Sequence, residues 1–472
     1  MCYNIAMKLR RLFALLMLTM VLPSCKFKFK FWEKDNPTPI PTIPMNRLTT
    51  PKVTKVTNEN HFDMSPTTYN SYTSFAKKFT SLMMEINNSN NEKSLGISIP
   101  DAYICLAICG VISTDEARND ILSYLELSNM DELRTSITEI ISTLATLMEK
   151  SDGNKVGGYN LNSVWFNPEK VELIKEKDQQ LYDDLERVFD ASLYMEPLTS
   201  DKANQYIKDN GLKDMPAPKI KLNDADPSAI NVMSVYYCLD YFDKDIADYY
   251  KSQYQSGNHK MDYEVGSTKS KVDYIEYQKN MNVFVNDNFS GASMGISSLN
   301  MSFFLPNDKS AMPSTILDDV LNENYSVKES TYVDYDNVVQ PTKIHNVTIK
   351  APYFSLDNEA EIDSAHLQQI LPVISNRGAG ERIAKAYLGQ MYLDFIKQFS
   401  VMKFNYDGFY SCSATIAGIE ASAAPWQATY EKFDLILNHT YIFKVNKTIR
   451  VNNDFKNVPL VIGEIVDSNY KD

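Results

Sequence analysis

Residues 417–433 read AGIEASAAPWQATYEKF, a run of small side chains followed by aromatic and charged ones. Taken alone, an alanine-rich run of this kind is typical of a helix. Here it lies between two runs with strand character, VMKFNYDGFYSCSA at 401–414 and LILNHTYIF at 435–443. Position in the chain, rather than composition, therefore decides how this segment is interpreted.

The rest of the chain shows helical patterns first and strand patterns later. Apolar residues recur at helical spacing in four early stretches: 70–86, 100–126, 131–149 and 172–190. Strand-like runs cluster downstream: INVMSVYYCL at 230–239, MNVFVND at 281–287, MSFFLP at 301–306, HNVTIKAPYFSL at 345–356 and VPLVIGEIV at 458–466. This order favours an α+β fold over an alternating parallel one.

Several segments, in order, resemble the serpin family across about residues 65–468. The following segments carry the resemblance: ISIPDAYICLAI at 97–108, LNSVWF at 161–166, INVMSVYYCLDYFDKDI at 230–246, MSFFLP at 301–306, VTIKAPYFSLDNEAEI at 347–362 and VPLVIGEIV at 458–466. The resemblance implies about three β-sheets, a helical cluster and an exposed reactive loop. It implies an inhibitor of serine or cysteine proteases and not an enzyme.

The segment at 417–433 resembles the hinge of the serpin reactive loop. The predicted hinge comprises seven consecutive residues: Gly418, Ile419, Glu420, Ala421, Ser422, Ala423 and Ala424. In the family, a protease cuts the loop, and the freed hinge inserts into the main sheet as an extra strand and distorts the bound enzyme. Small side chains are required because alternate residues of an inserted strand enter a packed interior.

The predicted hinge only partly meets that requirement. Counted from Gly418, the inward-facing residues are Ile419, Ala421, Ala423 and Pro425. Ile419 is bulky, and Pro425 has no N–H for the ladder, which costs on the order of 1 to 3 kcal/mol in a central strand. A non-inhibitory serpin-fold binding protein or decoy substrate therefore remains an alternative.

Three residues are candidates for the scissile bond: Lys432, Phe433 and Tyr430. The family's spacing from Gly418 points to Lys432 as the residue before the cut and to a trypsin-like target, while Tyr430 is its rival. Only 16 residues lie between Gly418 and Leu435, which makes the loop short for an inhibitor.

The composition excludes several other classes of function. The net charge of −13 disfavours nucleic acid as a partner. The five histidines lack metal-ligand spacing, so no metal or cofactor is expected. Six scattered cysteines do not suggest a disulfide scaffold. We also expect a monomer.

The N-terminus has the layout of an export signal. Basic residues precede the apolar run from Leu12 to Leu22, and Leu22-Pro23-Ser24-Cys25 resembles a bacterial lipobox. We therefore predict a lipoprotein signal peptide at 1–24, acylation of Cys25, a Pro/Thr-rich tether at 25–60 and a serpin domain at 61–472. This predicts a lipid-anchored, extracytoplasmic protein held at the cell surface or envelope.

Residues 291–295 spell G-x-S-x-G, which offers a remote hydrolase alternative. Ser293 would be the nucleophile, with Asp318 and His345 downstream in the appropriate order. The mechanism requires a strand before the motif and a helix after it, whereas the sequence here favours a Gly/Ser-rich hairpin.

Overall fold

Two large β-sheets and a layer of helices organise the chain in the computed structural model. Residues from Met45 onward form one compact unit. The structure describes residues 45, 47–48, 63–89, 93–149, 155–176, 178–212, 215–257, 259–296, 298–334, 337–411 and 429–467.

The α-helices of the described residues lie mostly in the first half of the chain. They are α1 (Pro66–Ser89), α2 (Ile99–Ile112), α3 (Asp115–Tyr124), α4 (Met130–Leu144), α5 (Gln179–Asp183), α6 (Ser200–Asn210), α7 (Lys244–Ser256), α8 (Leu317–Asn322) and α9 (Ser364–Ile370). None of the described helices is both long and apolar enough to cross a membrane.

The main sheet has seven strands in the order β15-β17-β18-β6-β3-β2, with β5 also paired to β3. Its strands are β2 (Leu147–Glu149), β3 (Lys155–Phe166), β5 (Ala191–Tyr194), β6 (Ile230–Tyr241), β15 (Phe354–Ile362), β17 (Ile396–Asn405) and β18 (Gly408–Ser411). Strand β18 is antiparallel to both neighbours, so β17 and β6 run parallel to each other.

The second sheet has ten strands in the order β1-β22-β21-β10-β9-β8-β14-β20, with β7 and β11 also paired to β8. Its strands are β1 (Leu95–Ser98), β7 (Lys260–Val265), β8 (Thr268–Val285), β9 (Phe289–Gly295), β10 (Asn300–Pro306), β11 (Ser326–Val327), β14 (Ile344–Pro352), β20 (Lys432–Ile436), β21 (Tyr441–Val451) and β22 (Asp454–Ile465).

Two small sheets complete the described structure. The first, in the order β13-β12-β19, comprises β12 (Ser330–Val333), β13 (Val339–Thr342) and β19 (Thr429–Tyr430); the second pairs β4 (Val171–Leu173) with β16 (Ala384–Ala386). The predicted α+β class with several sheets is thereby confirmed.

The main core lies between the two large sheets and the helices. Helix α2 is apolar on nearly every face, and 11 of its 14 residues are buried. Pro100 occupies its first turn, where a missing N–H costs nothing, and Asp101 is the one acidic residue there. A second cluster surrounds Trp165, whose ring stacks on Tyr194 at a centroid distance of 4.0 Å.

Candidate reactive-loop site

Strand β18 is a short insertion between two long parallel strands of the main sheet. Gly408 pairs with Tyr241 of β6 and with Asn405 of β17, and Ser411 pairs with Cys238 and Met402. The chain thus runs to the end of β17, turns, and re-enters the same sheet in the opposite direction.

The turn before β18 requires a glycine at position 408. Gly408 has φ +140°, which side chains rarely tolerate, and an added Cβ would lie 2.8 Å from Tyr241 Cα and closer still to the Asp240 carbonyl oxygen. The side chain of Asn405 accepts a hydrogen bond from the Asp407 N–H at 2.9 Å, which closes the turn.

Side chains of β18 alternate between the core and the opposite face of the sheet. Phe409 is fully buried among core residues, and Ser411 is also buried, whereas Tyr410 is half-buried on the other face. The alternation sets which later residues would point inward if the strand were longer.

Beyond the end of β18, residues 396–401 of β17 and 230–234 of β6 have no strand partner on their facing edges within the part of the chain that the structure describes. Residues 230–234 of β6 are half-buried rather than buried, unlike residues 235–240 beyond them. Unpaired strand edges of this kind are templates for another strand.

A polar cluster lies beside this unpaired stretch and ties β17 to the start of α2. The Gln398 side chain accepts a hydrogen bond from the Ser98 N–H at 3.0 Å and donates to the Ser98 carbonyl at 2.7 Å. The same amide donates to Asp101 at 3.3 Å. This bidentate contact satisfies Ser98 backbone groups and fixes the position of β17 relative to α2.

Three buried oxygens of this region lack hydrogen-bond partners among the described residues. They are Ser98 Oγ, Ser400 Oγ and one carboxylate oxygen of Asp101. Burial raises the pKa of Asp101 to about 7, although the hydrogen bond from Gln398 opposes that rise. The polar groups next to the unpaired edges are therefore incompletely satisfied.

The predicted hinge, Gly418–Ala424, lies outside the described residues, as do the signal peptide and Cys25. The predicted hinge and Cys25 therefore stay predictions. The strand predicted over 401–414 is interrupted by a turn at Tyr406-Asp407-Gly408. An Asp-Gly pair between apolar residues is a hairpin signal that would have located it.

The three scissile-bond candidates lie in strands at the downstream end of the loop. Tyr430 in β19 pairs with Tyr332, and their rings lie 5.5 Å apart. Lys432 and Phe433 begin β20, which pairs in parallel with β14. Proteases prefer extended, unpaired segments, so these strands would have to leave their sheets before cleavage at any of the three. The position of the cut stays a prediction.

The residues of the hydrolase alternative do not form a catalytic arrangement. Ser293 lies within β9, which pairs with β10 along its whole length, and its Oγ lies 2.7 Å from Ser302 Oγ. The expected Gly/Ser-rich hairpin is confirmed, and no helix follows the motif directly. His345 lies on β14, two strands away across β8, or about 10 Å. Asp318 lies in the separate helix α8.

His345 is itself unusual because it is buried beside the downstream end of the loop. Its ring packs against Phe433 at a centroid distance of 6.0 Å, and neither ring nitrogen has a hydrogen-bond partner among the described residues. Burial lowers the pKa of His345; nearby Lys328 also lowers it, while Glu431 opposes the shift.

The described residues contain no group of metal-binding side chains.

No family model matches the chain, and no curated protein matches it. Solved structures do match. A thermophilic serpin named tengpin, in its native state, shares 14% identity and a TM-score of 0.61, covering 90% of this chain and 100% of its own.

Two further structures give the same result. An Arabidopsis serpin in its native stressed conformation shares 16% identity at a TM-score of 0.57, covering 85% of this chain and 98% of its own. Human thyroxine-binding globulin shares 13% identity at a TM-score of 0.56, and the match covers 86% of this chain and 100% of its own. Likeness at these identities establishes architecture, and the chain accordingly has the serpin fold.

Proposed function

We propose that this protein inhibits extracytoplasmic serine or cysteine proteases by inserting its cut loop into the main sheet. The observation that carries the proposal is β18, which already occupies the first positions between β17 and β6. The same two strands leave their facing edges unpaired further along, within the described residues. A freed loop would extend β18 into that space.

The register of β18 specifies which loop residues would enter the main sheet between β17 and β6. Continued without a shift, it places Ser413 opposite Tyr236 and Ser400, and Thr415 opposite Ser234 and Gln398. Ala417 follows as the next inward residue. These side chains are small, as an already packed interior requires, and their hydroxyls would meet the incompletely bonded polar groups described above.

This register also changes the significance of Pro425. Residue 419 would lie opposite Ile230, the first residue of β6, so the sheet ends before Pro425 is reached. We therefore propose Gly408, rather than Gly418, as the start of the hinge. Counted from Gly408, 26 residues precede Leu435, and the loop is no longer short.

The same shift moves the expected cut. The spacing that leads from Gly418 to Lys432 leads from Gly408 to Ser422. A bond after Ser422 suits a protease with a small specificity pocket, as in elastase-like enzymes, whereas Lys432 suits a trypsin-like one. Mass mapping of the cleaved loop distinguishes Ser422 from Lys432, Tyr430 and Phe433.

The second candidate function is a serpin-fold binding protein or decoy substrate, with no covalent trapping. It is favoured by Phe409, because this large side chain is already seated in the core and holds the loop partly inserted. In that case, protease would cut the loop cleanly and remain active.

Adjacent arginine substitutions separate the two functions. Thr415→Arg places a charge on the inward face and blocks insertion, whereas Ile416→Arg places it on the outward face. Incubation with a protease panel should give a detergent-resistant covalent complex with the parent and Ile416→Arg, and clean cleavage with Thr415→Arg. Clean cleavage of all three by every protease would reject the inhibitory mechanism.

We further propose that the protein is exported, anchored by acyl chains on Cys25 and monomeric. The lipobox-like Leu22–Cys25 and the polar tether that follows it support this. Mass spectrometry of the N-terminal peptide should show acylated Cys25, and Cys25→Ser should release the protein from the membrane fraction. An unmodified Cys25 in membrane-bound protein would contradict the anchor.

A further inference from the structure

A short loop before β17 displays large apolar side chains to solvent. Leu388 is 93% exposed, and Tyr387 and Tyr392 are 55% and 54% exposed. Most exposed apolar residues in proteins are isolated, whereas these three lie within six consecutive positions.

Hydrogen bonds and a buried anchor hold this loop in place. Tyr387 N–H donates to the Lys170 carbonyl at 3.0 Å, and Leu393 N–H donates to the Ile374 carbonyl at 2.8 Å. Between them, Met391 is buried and its carbonyl accepts from Ala379 N–H at 3.1 Å. The exposed side chains therefore project from a fixed support.

This loop lies at the same end of the main sheet as Arg47. Lys170, which holds Tyr387, follows the end of β3 closely, and Trp165 near that end pairs with Tyr194 of β5. Arg47, at the beginning of the described chain, bridges to Tyr194. Gly408 and β18 lie at the other end of the sheet, next to Asn405.

Nearby charges are of both signs. Lys170 pairs with Asp226 at 2.5 Å, and Arg377 pairs with Glu116 at 2.7 Å. The exposed Lys385 and Asp394, which flank the loop, have opposite charges. An acidic or basic partner would find little net charge here, so contact with an apolar or interfacial surface is favoured over an electrostatic one.

We propose that Tyr387, Leu388 and Tyr392 form a membrane-contact patch that rests on the lipid surface carrying the acyl anchor. This inference depends on the anchor at Cys25 proposed above. Residues 26–44 span at most about 65 Å when extended, so the anchor holds the patch close to the bilayer and raises its effective concentration there. Tyrosine suits the headgroup level, and leucine the hydrocarbon below.

The consequence is a defined orientation, in which Gly408 and β18 lie on the side of the sheet away from the membrane, where proteases approach. Three side chains bind lipid only weakly by themselves, so contact depends on tethering. Because the nearby charges are balanced in sign, the contact should depend little on salt.

The test uses the mature chain from Lys26 with an N-terminal histidine tag, held on phosphatidylcholine vesicles that contain a nickel-chelating lipid and a spin-labelled lipid quencher. Leu388→Trp supplies a probe in the patch. Val339→Trp is the matched control, because Val339 is 62% exposed and lies on the sheet that carries Tyr430.

The added emission of Leu388→Trp should be largely lost on these vesicles, and that of Val339→Trp should be retained. Replacing Tyr387 and Tyr392 with serine should restore part of the emission at 388. Equal emission from both probes overturns the patch, as does solution dimerisation that Leu388→Glu abolishes. Artificial tethering makes this outcome independent of whether Cys25 is acylated.

Discussion

The two ends of the loop are held in opposite ways. Upstream, β18 lies inside the main sheet, with ladders to β17 and β6 on both sides. Downstream, β19 and β20 each add to an edge of another sheet, and within the described ranges each has one partner strand. An interior strand can lengthen into unpaired neighbours, whereas an edge strand can only detach. Cleavage should therefore drive growth from the upstream end.

Among substitutions at the upstream end, Gly408→Ala is expected to cause the largest loss of stability. The new Cβ would meet the Asp240 carbonyl and Tyr241 Cα at a positive φ, so we expect a loss of about 3 kcal/mol or more in the free energy of unfolding. Urea denaturation measures it.

Gly266→Ala is the matched control, because Gly266 also has a positive φ but no atom within 4 Å of an added Cβ. Gly266→Ala should lower the free energy of unfolding by about 1 kcal/mol. Equal losses in the two variants would show that strain alone, and not the close approach to β6, holds the upstream turn.

A smaller loss of stability at the upstream end is expected from Gln398→Ala, which removes the hydrogen bonds that join β17 to the start of α2. The Ser98 N–H and carbonyl would lose their buried partner, at a cost of about 2 kcal/mol. Gln278→Ala, which removes an exposed amide contact with Asn346, should change unfolding by less than about 0.5 kcal/mol. If the two variants unfold alike, Gln398 does not fix β17.

The predicted fold and the observed one differ where contacts are distant in sequence. The pattern at 70–86 correctly predicted α1, because local periodicity determines a long amphipathic helix. The helix expected over 100–126 breaks at Ser113 and Thr114, where the Thr114 N–H donates to Gly378. The start of 172–190 is strand β4 instead, because it pairs with β16 more than two hundred residues later.

The candidate site was predictable in location but not in register. Strand patterns on either side of 417–433 placed a loop there, and alanines suggested the hinge. The Asp407-Gly408 pair indicates the local pairing of Gly408 with Asn405, but nothing in the local sequence indicates that Gly408 also pairs with Tyr241, which belongs to a distant strand. Asp101 and Gln398 were likewise missed, since their contact joins residues almost 300 positions apart.

Asp101 makes the upstream end sensitive to pH. Its pKa is raised to about 7 in the folded protein, whereas an unfolded Asp titrates near 4. Between these values the folded state holds the extra proton, so stability should decrease as pH rises from about 4 to about 7. Asp101→Asn should flatten that slope in thermal unfolding curves, and an unchanged slope would assign it to other groups.

The smallest predicted effect is the pH dependence of stability at the downstream end of the loop, which we assign to His345. Its pKa is lowered by burial, so the folded state resists protonation and stability should decrease as pH falls below about 6.5. Amide exchange in β20 should therefore accelerate in acid, and His345→Phe should abolish that acceleration. Acceleration that persists in His345→Phe would place the sensitivity elsewhere.

Amide hydrogen exchange before and after loop cleavage is the most direct test of insertion between β17 and β6. Cutting should strongly slow exchange in residues 396–401 of β17 and 230–234 of β6, whose edges gain a strand, while β21 and β22 stay unchanged. Unaltered exchange along both β17 and β6 after complete cleavage would contradict it.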